Sequence, residues 1–195
     1  MADTKTEWRV RLLRARAAID AGSRETAAAA IAARLVTRAE FGRAGAVLLY
    51  SAIGAEVDVE AVAREARRRG KSVYRPASAG TAPAWLVDDP VAVHPTPVAE
   101  LAIPVLMIVP GVGFDRRGGR LGRGQAYFDR AIAVVRAAGD VAVVGVAYEA
   151  QIAETLPQDP WDERVDLVVT ERRVLVPQPS RRDDSRTREE VRDDL

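Results

Sequence analysis

VLMIVP (residues 105–110) runs straight into PGVGFDRRGGRLGRG (residues 110–124), and the fold turns on this junction. A short apolar run bounded by turn residues reads as a fully buried strand. A helix is expected after the loop, through Asp129 to Ala138. The loop therefore joins the carboxyl end of a strand to the start of a helix, where open α/β folds bind ligands. Gly118, Gly119, Gly122 and Gly124 let the backbone approach a ligand and present amide donors. Arg120 and Arg123 add planar donor forks suited to phosphate oxygens. Asp129, about one turn into the helix, stands where a carboxylate can hold a magnesium ion that bridges phosphates. The same pattern also suits a solvated surface loop rich in glycine and arginine.

The alternation of strand and helix recurs on both sides of the junction. Trp8, Leu12, Ala15 and Ile19 follow a 3.6-residue spacing with Arg9, Arg11, Arg14 and Arg16 around them, which predicts an amphipathic helix. Gly22 reads as its end and Ser23 as the cap of a second helix that contains Ile31 and Leu35. AVLLYS (46–51) reads as a buried strand, Asp58 as the cap of the helix VEAVAREARRR, and Gly70 as its stop. KSVYR (71–75), VAVVGVAY (141–148) and VDLVVT (165–170) supply further strands. This order predicts an α/β fold, a single domain over residues 1–176 with a largely parallel sheet flanked by helices. PQPSRRDDSRTREEVRDDL (177–195) is charged and poor in apolar residues, and reads as a disordered tail.

Composition narrows the chemistry. The 195 residues are 48% hydrophobic, enough for one core, since a typical domain holds roughly 100–200 residues. Twenty-nine basic and 28 acidic residues give a net charge of +1, which argues against a dedicated nucleic-acid binder. With no cysteine there is no disulfide, thiol nucleophile or cysteine-ligated zinc. The one histidine, His94, excludes His-pair metal motifs and reads as a plain surface residue in a Pro-rich stretch. Neither a G-x-S-x-G elbow nor a G-x-x-x-x-G-K-[ST] phosphate loop occurs. No apolar run reaches the roughly 18 residues of a membrane span, and MADTKTEWRVR lacks the apolar core of a signal peptide. A cytoplasmic protein with no membrane contact is the expectation.

VPGVGFDRRGGRLGRGQAYFDR (109–130) strongly resembles the signature of the 5-formyltetrahydrofolate cyclo-ligase (5,10-methenyltetrahydrofolate synthetase) family, near V-P-G-x-x-F-D-x-x-G-x-R-L-G-x-G-x-G-Y-Y-D. Lys5-x-x-x-Arg9 looks like the family's N-terminal K-x-x-x-R. Glu56-Val57-Asp58 resembles its E-V-D/E segment, and Val146 to Gln151 its a-F-x-x-Q. Asp162-Glu163-Arg164-Val165-Asp166 resembles its D-x-x-V-D strand entry. These matches run in order from residue 5 to about 171, which is more specific than one Gly-rich loop.

The resemblance implies an enzyme that uses ATP, as co-substrate, and Mg²⁺ to convert 5-formyltetrahydrofolate to 5,10-methenyltetrahydrofolate with release of ADP and phosphate. ATP phosphorylates the formyl oxygen, N10 attacks the activated carbon, and phosphate departs. No protein nucleophile is needed; positioning and charge neutralisation carry such chemistry.

By position, the resemblance assigns Arg120 and Arg123 as catalytic. ATP contacts fall to Lys5, Arg9, Arg120, Gly122, Arg123, Gly124, Gln125, Ala126, Tyr127 and Phe128. Substrate contacts fall to Glu56, Arg123 and Tyr127, and magnesium ligation to Asp129 and Asp166. From composition alone Lys5 and Arg9 equally suit a solvated helix, Glu56 a helix N-terminus, and Tyr127 packing on the sheet. A monomer is expected, with no nucleic-acid or membrane partner.

Three departures from the pattern stand out. Ala126 replaces the family glycine, Phe128 the second tyrosine, and Trp161 a residue that is often polar. They leave open a diverged member that binds ATP or folate without efficient turnover. A nucleic-acid binder using the arginines is disfavoured by the balanced charge and the absence of a stacking platform.

Overall fold

The computed structural model describes residues 3–77, 84–88 and 95–177, and in it VLMIVP is the central strand of a seven-stranded sheet. His94 and residues 178–195, expected as a surface histidine and a tail, lie outside the described residues. The chain opens with helices α1 (Lys5–Ala17), α2 (Ala21–Leu35) and α3 (Ala39–Arg43). Strand β1 (Ala46–Leu48), helix α4 (Glu60–Arg68), and strands β2 (Ser72–Pro76) and β3 (Trp85–Val87) follow. Next come β4 (Val105–Pro110), β5 (Gly113–Asp115), β6 (Arg120–Leu121) and helix α5 (Tyr127–Ala138). Strands β7 (Val141–Val146), β8 (Ile152–Ala153), β9 (Leu167–Val169) and β10 (Val174–Leu175) complete the order.

The large sheet runs β10-β9-β7-β4-β1-β2-β3, parallel throughout except for antiparallel β10 and β3 at its edges. The parallel strands run β2-β1-β4-β7-β9, so the order reverses between β1 and β4. Crossovers leave that point in opposite directions, and a crevice opens outside the strand ends there.

Alternation along each strand divides the core between two faces. Val47, Leu106, Ile108, Val144 and Val169 pack beneath Ile31 and Leu35 of α2, Phe41 of α3 and Val62 of α4. Leu48, Met107, Val109, Val143 and Val168 face Ala131, Ile132 and Val135 of α5. Both faces are buried, which is why these strands read as continuous apolar runs. Truncating Ile108 or Met107 to alanine is expected to cost about 2–5 kcal/mol.

The glycine–arginine stretch is more ordered than a loop. It contains the antiparallel pair β5–β6, with β8 parallel to β5 in a second, three-stranded sheet. Asp115 fixes its turn: Oδ1 accepts from the amides of Arg117 and Gly119, each at 2.8 Å, and Oδ2 from Leu156 at 2.9 Å. Gly118 adopts φ +78°, and a Cβ there would collide with the Val165 carbonyl. Gly118 and Gly119 therefore serve the turn; of the four glycines, Gly122 and Gly124 are the pair that reaches the cavity described below.

Helix α1 lies on this small sheet through Leu12, packed with Val112, Leu121, Ala153 and Leu156. Thr4 and Glu7 cap it reciprocally. It stops at Ala17, before Gly22, and Asp20 caps α2 by accepting from the Ser23 amide at 2.9 Å. Ser23 was the expected cap; the aspartate three residues earlier takes that role because its carboxylate reaches the first free amides. Asp58, the expected cap of α4, accepts from the Glu60 amide at 2.7 Å but stands one residue before the N-cap, which is Val59 and has no side-chain cap.

Candidate active site

A cavity of about 640 Å³ opens at the strand reversal. Tyr50 and Ser51 reach it from the end of β1, Pro76 and Ala77 from β2, and Pro110 to Val112 from β4. Lys5 and Arg9 come from α1, and residues 120–129 form a long wall leading into α5. Asp159, Trp161 and Asp162 close another side. Of the residues expected at the site, Lys5, Arg9, Glu56, Arg120, Gly122, Arg123, Gly124, Gln125, Ala126, Tyr127, Phe128 and Asp129 all line this cavity.

One part of the cavity interleaves cations with carboxylates: Lys5, Arg9 and Arg120 stand among Asp129, Asp159 and Asp162. Arg120, 4% exposed, donates to Asp129 Oδ1 at 2.7 Å and lies 5.8 Å from the Phe128 ring centre. Its Nε is buried with no partner, an unspent donor of the kind a ligand oxygen satisfies. Asp129 Oδ1 also accepts from the Glu163 amide at 3.2 Å. Lys5 Nζ is held by Asp159 at 2.7 Å and by Asp162. Burial alone would lower the Lys5 ammonium, but the two carboxylates outweigh it and raise its pKa above the ordinary lysine value. Arg9 Nε donates to the Gly122 carbonyl at 2.9 Å, so α1 shapes the loop directly.

Glu56 forms the other part. Its side chain is 7% exposed and accepts from the Ile53 amide at 3.0 Å. Arg123 donates to Oε1 at 2.8 Å, and Arg16 lies 4.0 Å from the same oxygen. Burial lowers the pKa of the Arg16 guanidinium; Glu56 opposes that shift and Arg123 adds to it. Tyr50 donates to the Val57 carbonyl at 2.5 Å, and burial holds its phenol pKa well above the ordinary value. Tyr127 packs edge-on to Phe128 at 5.2 Å, and its hydroxyl is buried without a partner. Burial raises the Tyr127 phenol as well.

Ala126 has φ 49° and ψ 21°, the left-handed region, just before α5. Replacement of the family glycine therefore puts an L-residue into a backbone conformation that glycine adopts freely.

Asp166 does not reach the cavity. It accepts from Arg136 at 2.9 Å and from the Val143 amide at 2.7 Å, at the amino end of β9. Arg136 is seven residues beyond Asp129 on α5, roughly 10 Å along the axis. The structure thus does not bring the two expected magnesium ligands together. Among the described residues no group of three or more His, Cys, Asp or Glu side chains is arranged to hold a metal. One carboxylate, Asp129, still suits magnesium, which is commonly held by one or two carboxylates together with substrate phosphates and water.

Asp159 and Asp162 line the cavity and Arg16 lies behind it against Glu56, and none of the three is among the site residues expected from the sequence. Arg16 continues the stripe Lys5, Arg9, Leu12, Arg16, whose spacing of 4, 3 and 4 marks one helix face. Asp162 opens the D-x-x-V-D segment that resembles the family pattern, although no site role attaches to it there, and Asp159 has no comparable signal.

Residues 1–171 match the model of the 5-formyltetrahydrofolate cyclo-ligase family. The 5-formyltetrahydrofolate cyclo-ligase of Escherichia coli is 29% identical over 159 residues, covering 73% of this chain and 87% of that enzyme. The solved 5,10-methenyltetrahydrofolate synthetase of Aquifex aeolicus superposes with a TM-score of 0.73 at 28% identity, over 91% of this chain and 94% of its own. The synthetase of Mycoplasma pneumoniae shares the fold, with a TM-score of 0.74 at 22% identity over 87% and 99% of the two chains. On its sequence and its fold alike, the chain belongs to the 5-formyltetrahydrofolate cyclo-ligase family.

Proposed function

We propose that the chain converts 5-formyltetrahydrofolate and ATP to 5,10-methenyltetrahydrofolate, ADP and phosphate. The observation that carries this reading is the cavity itself. One part gathers Lys5, Arg9 and Arg120 beside Asp129, Asp159 and Asp162, with Arg120 Nε unpartnered, and the other holds the recessed carboxylate Glu56, with Arg123 joined to it. A phosphate chain suits the first and the N–H edge of a pterin suits the second. The reaction joins the two: the formyl oxygen takes the γ-phosphoryl group as ADP leaves, N10 bonds to the formyl carbon and gives up its proton, and the C–O bond breaks to release phosphate.

Arg120 and Arg123 would neutralise charge that develops on the transferred phosphoryl oxygens. Arg120 is preorganised for this, since Asp129 fixes its fork while Nε stays free. Asp129 would hold Mg²⁺, whose contribution when bound is to neutralise phosphate charge. Tyr127, with its unpartnered hydroxyl, and Glu56 would orient the folate. Among the described residues no helix is long and apolar enough to cross a membrane; we place the reaction in the cytoplasm and in a monomer.

The test is direct. Protein mixed with 5-formyltetrahydrofolate, ATP and Mg²⁺ should produce the methenyl-folate chromophore, and omission of ATP should abolish it. Folate binding without product would move the reading to a family member that has lost turnover.

A further inference from the structure

Arg16 sits in the last turn of α1 at 5% exposure, an uncommon place for an arginine. It donates to the Gly111 carbonyl at 3.5 Å and lies 4.0 Å from Glu56 Oε1. The same carbonyl accepts from Gln151 Nε2 at 3.0 Å, so the start of the glycine–arginine stretch is anchored from two elements. A guanidinium buried this deeply is strongly disfavoured unless it is paired.

Glu56 therefore has two cationic neighbours, and they differ. Arg123 is half exposed and lines the cavity, whereas Arg16 is buried and does not line it. A ligand whose N–H groups bind Glu56 competes with Arg123 for the same oxygen and leaves Arg16 in place. The geometry points to Arg16 as a positioning residue: it is the standing counter-ion that orients Glu56 toward the folate's N–H donors when Arg123 moves aside. This role rests on the reading of Glu56 as the folate carboxylate.

A double-mutant cycle tests it. Arg16→Met keeps the stem but removes the charge, and should raise the folate KM about tenfold while the ATP KM stays within about twofold. Arg16→Lys should recover part of that loss, because it restores charge without the fork. In a Glu56→Gln background, Arg16→Met should add less than about twofold, since a residue acting through Glu56 has little left to lose. Equal effects in both backgrounds, or matching losses of both substrates, overturn the proposal and leave Arg16 as support for the loop. If Arg16→Met does not fold, Arg16→Lys carries the same cycle at smaller amplitude. An impaired Glu56→Gln beside an unimpaired Arg16→Met removes this proposal alone. A Glu56→Gln variant with parental folate KM removes the folate reading of Glu56, and this proposal with it.

Discussion

Arg120 and Asp129 face each other at 2.7 Å with 3% and 12% of their side chains exposed, nine residues apart across the start of α5. The pair links β6 to the helix and holds the guanidinium whose Nε awaits a partner. Stability and chemistry are therefore coupled at one contact, and the two residues should fail differently.

Arg120→Ala leaves a nearly buried carboxylate without its cation. Breaking a buried pair from one side costs about 3–5 kcal/mol, so a marked fall in unfolding free energy is expected along with lost ATP use. Thermal denaturation with and without a nonhydrolysable ATP analogue checks both. Parental stability and ATP affinity would remove Arg120 from the phosphate site.

Asp129→Asn keeps the size and one acceptor, so the fold should survive. Turnover should fall roughly 100-fold, as for the loss of about 2–3 kcal/mol of charge-assisted interaction, and excess Mg²⁺ should not restore it. Binding of the ATP analogue without metal should hold, because the amide oxygen still accepts from Arg120 and keeps its fork in place. Weaker metal-free binding would mean that Asp129 acts mainly by orienting Arg120.

Glu56→Gln should raise the folate requirement by about tenfold and leave calorimetric binding of the ATP analogue unchanged. The amide keeps one acceptor but offers Arg16 and Arg123 no charge, so Glu56→Ala should be worse. Loss of ATP binding with intact folate binding would reassign Glu56 to the nucleotide side of the cavity.

Lys5 gives a pH signature. Its folded-state pKa is raised, so its ion pairs with Asp159 and Asp162 contribute stability that is fully present below the ordinary lysine value of 10.5. That contribution is lost as pH rises through the folded-state value. Lys5→Met should cost about 0.5–1 kcal/mol, constant from roughly pH 6 to 9, and the gap to the parent should close in strong alkali. A gap that already closes near neutral pH would contradict the assignment.

The sheet was legible in the sequence because strands buried on both faces, such as VLMIVP and VAVVGVAY, leave unbroken apolar runs. Cap choice at α2 was less so: Asp20 and Ser23 are both good cap residues, and only the path of the chain picks Asp20. Strands β5 and β6 look like loop in the sequence, since pieces of three and two residues among glycines show no alternation. Arg120, Arg123 and Asp129 stand out from the pattern of the glycine-rich loop alone, the other site positions come from resemblance to a family motif, and the structure gathers all of them except Asp166. That aspartate reads like its neighbours in sequence, but its place at the amino end of β9 gives it to Arg136. Arg16 was hidden among four arginines on one helix, because exposure is a tertiary property that composition does not carry.

Ala126 provides the last test, and it separates backbone strain from ligand contact. An L-residue with φ 49° at the start of a helix is strained by contact between its Cβ and the backbone, and no side-chain cap offsets this. Glycine adopts the same angles freely, so Ala126→Gly should stabilise the protein by about 1 kcal/mol even after the added freedom of the unfolded chain is counted. For a domain of this size that corresponds to a Tm rise of roughly 2–4 °C. Ala126→Val should move the opposite way, because a branched side chain tolerates the left-handed region least. ATP-analogue affinity measured beside Tm distinguishes the two accounts of the missing glycine. A rise in Tm with unchanged affinity fits strain, whereas improved affinity at constant Tm would mean that the methyl group had been crowding the nucleotide.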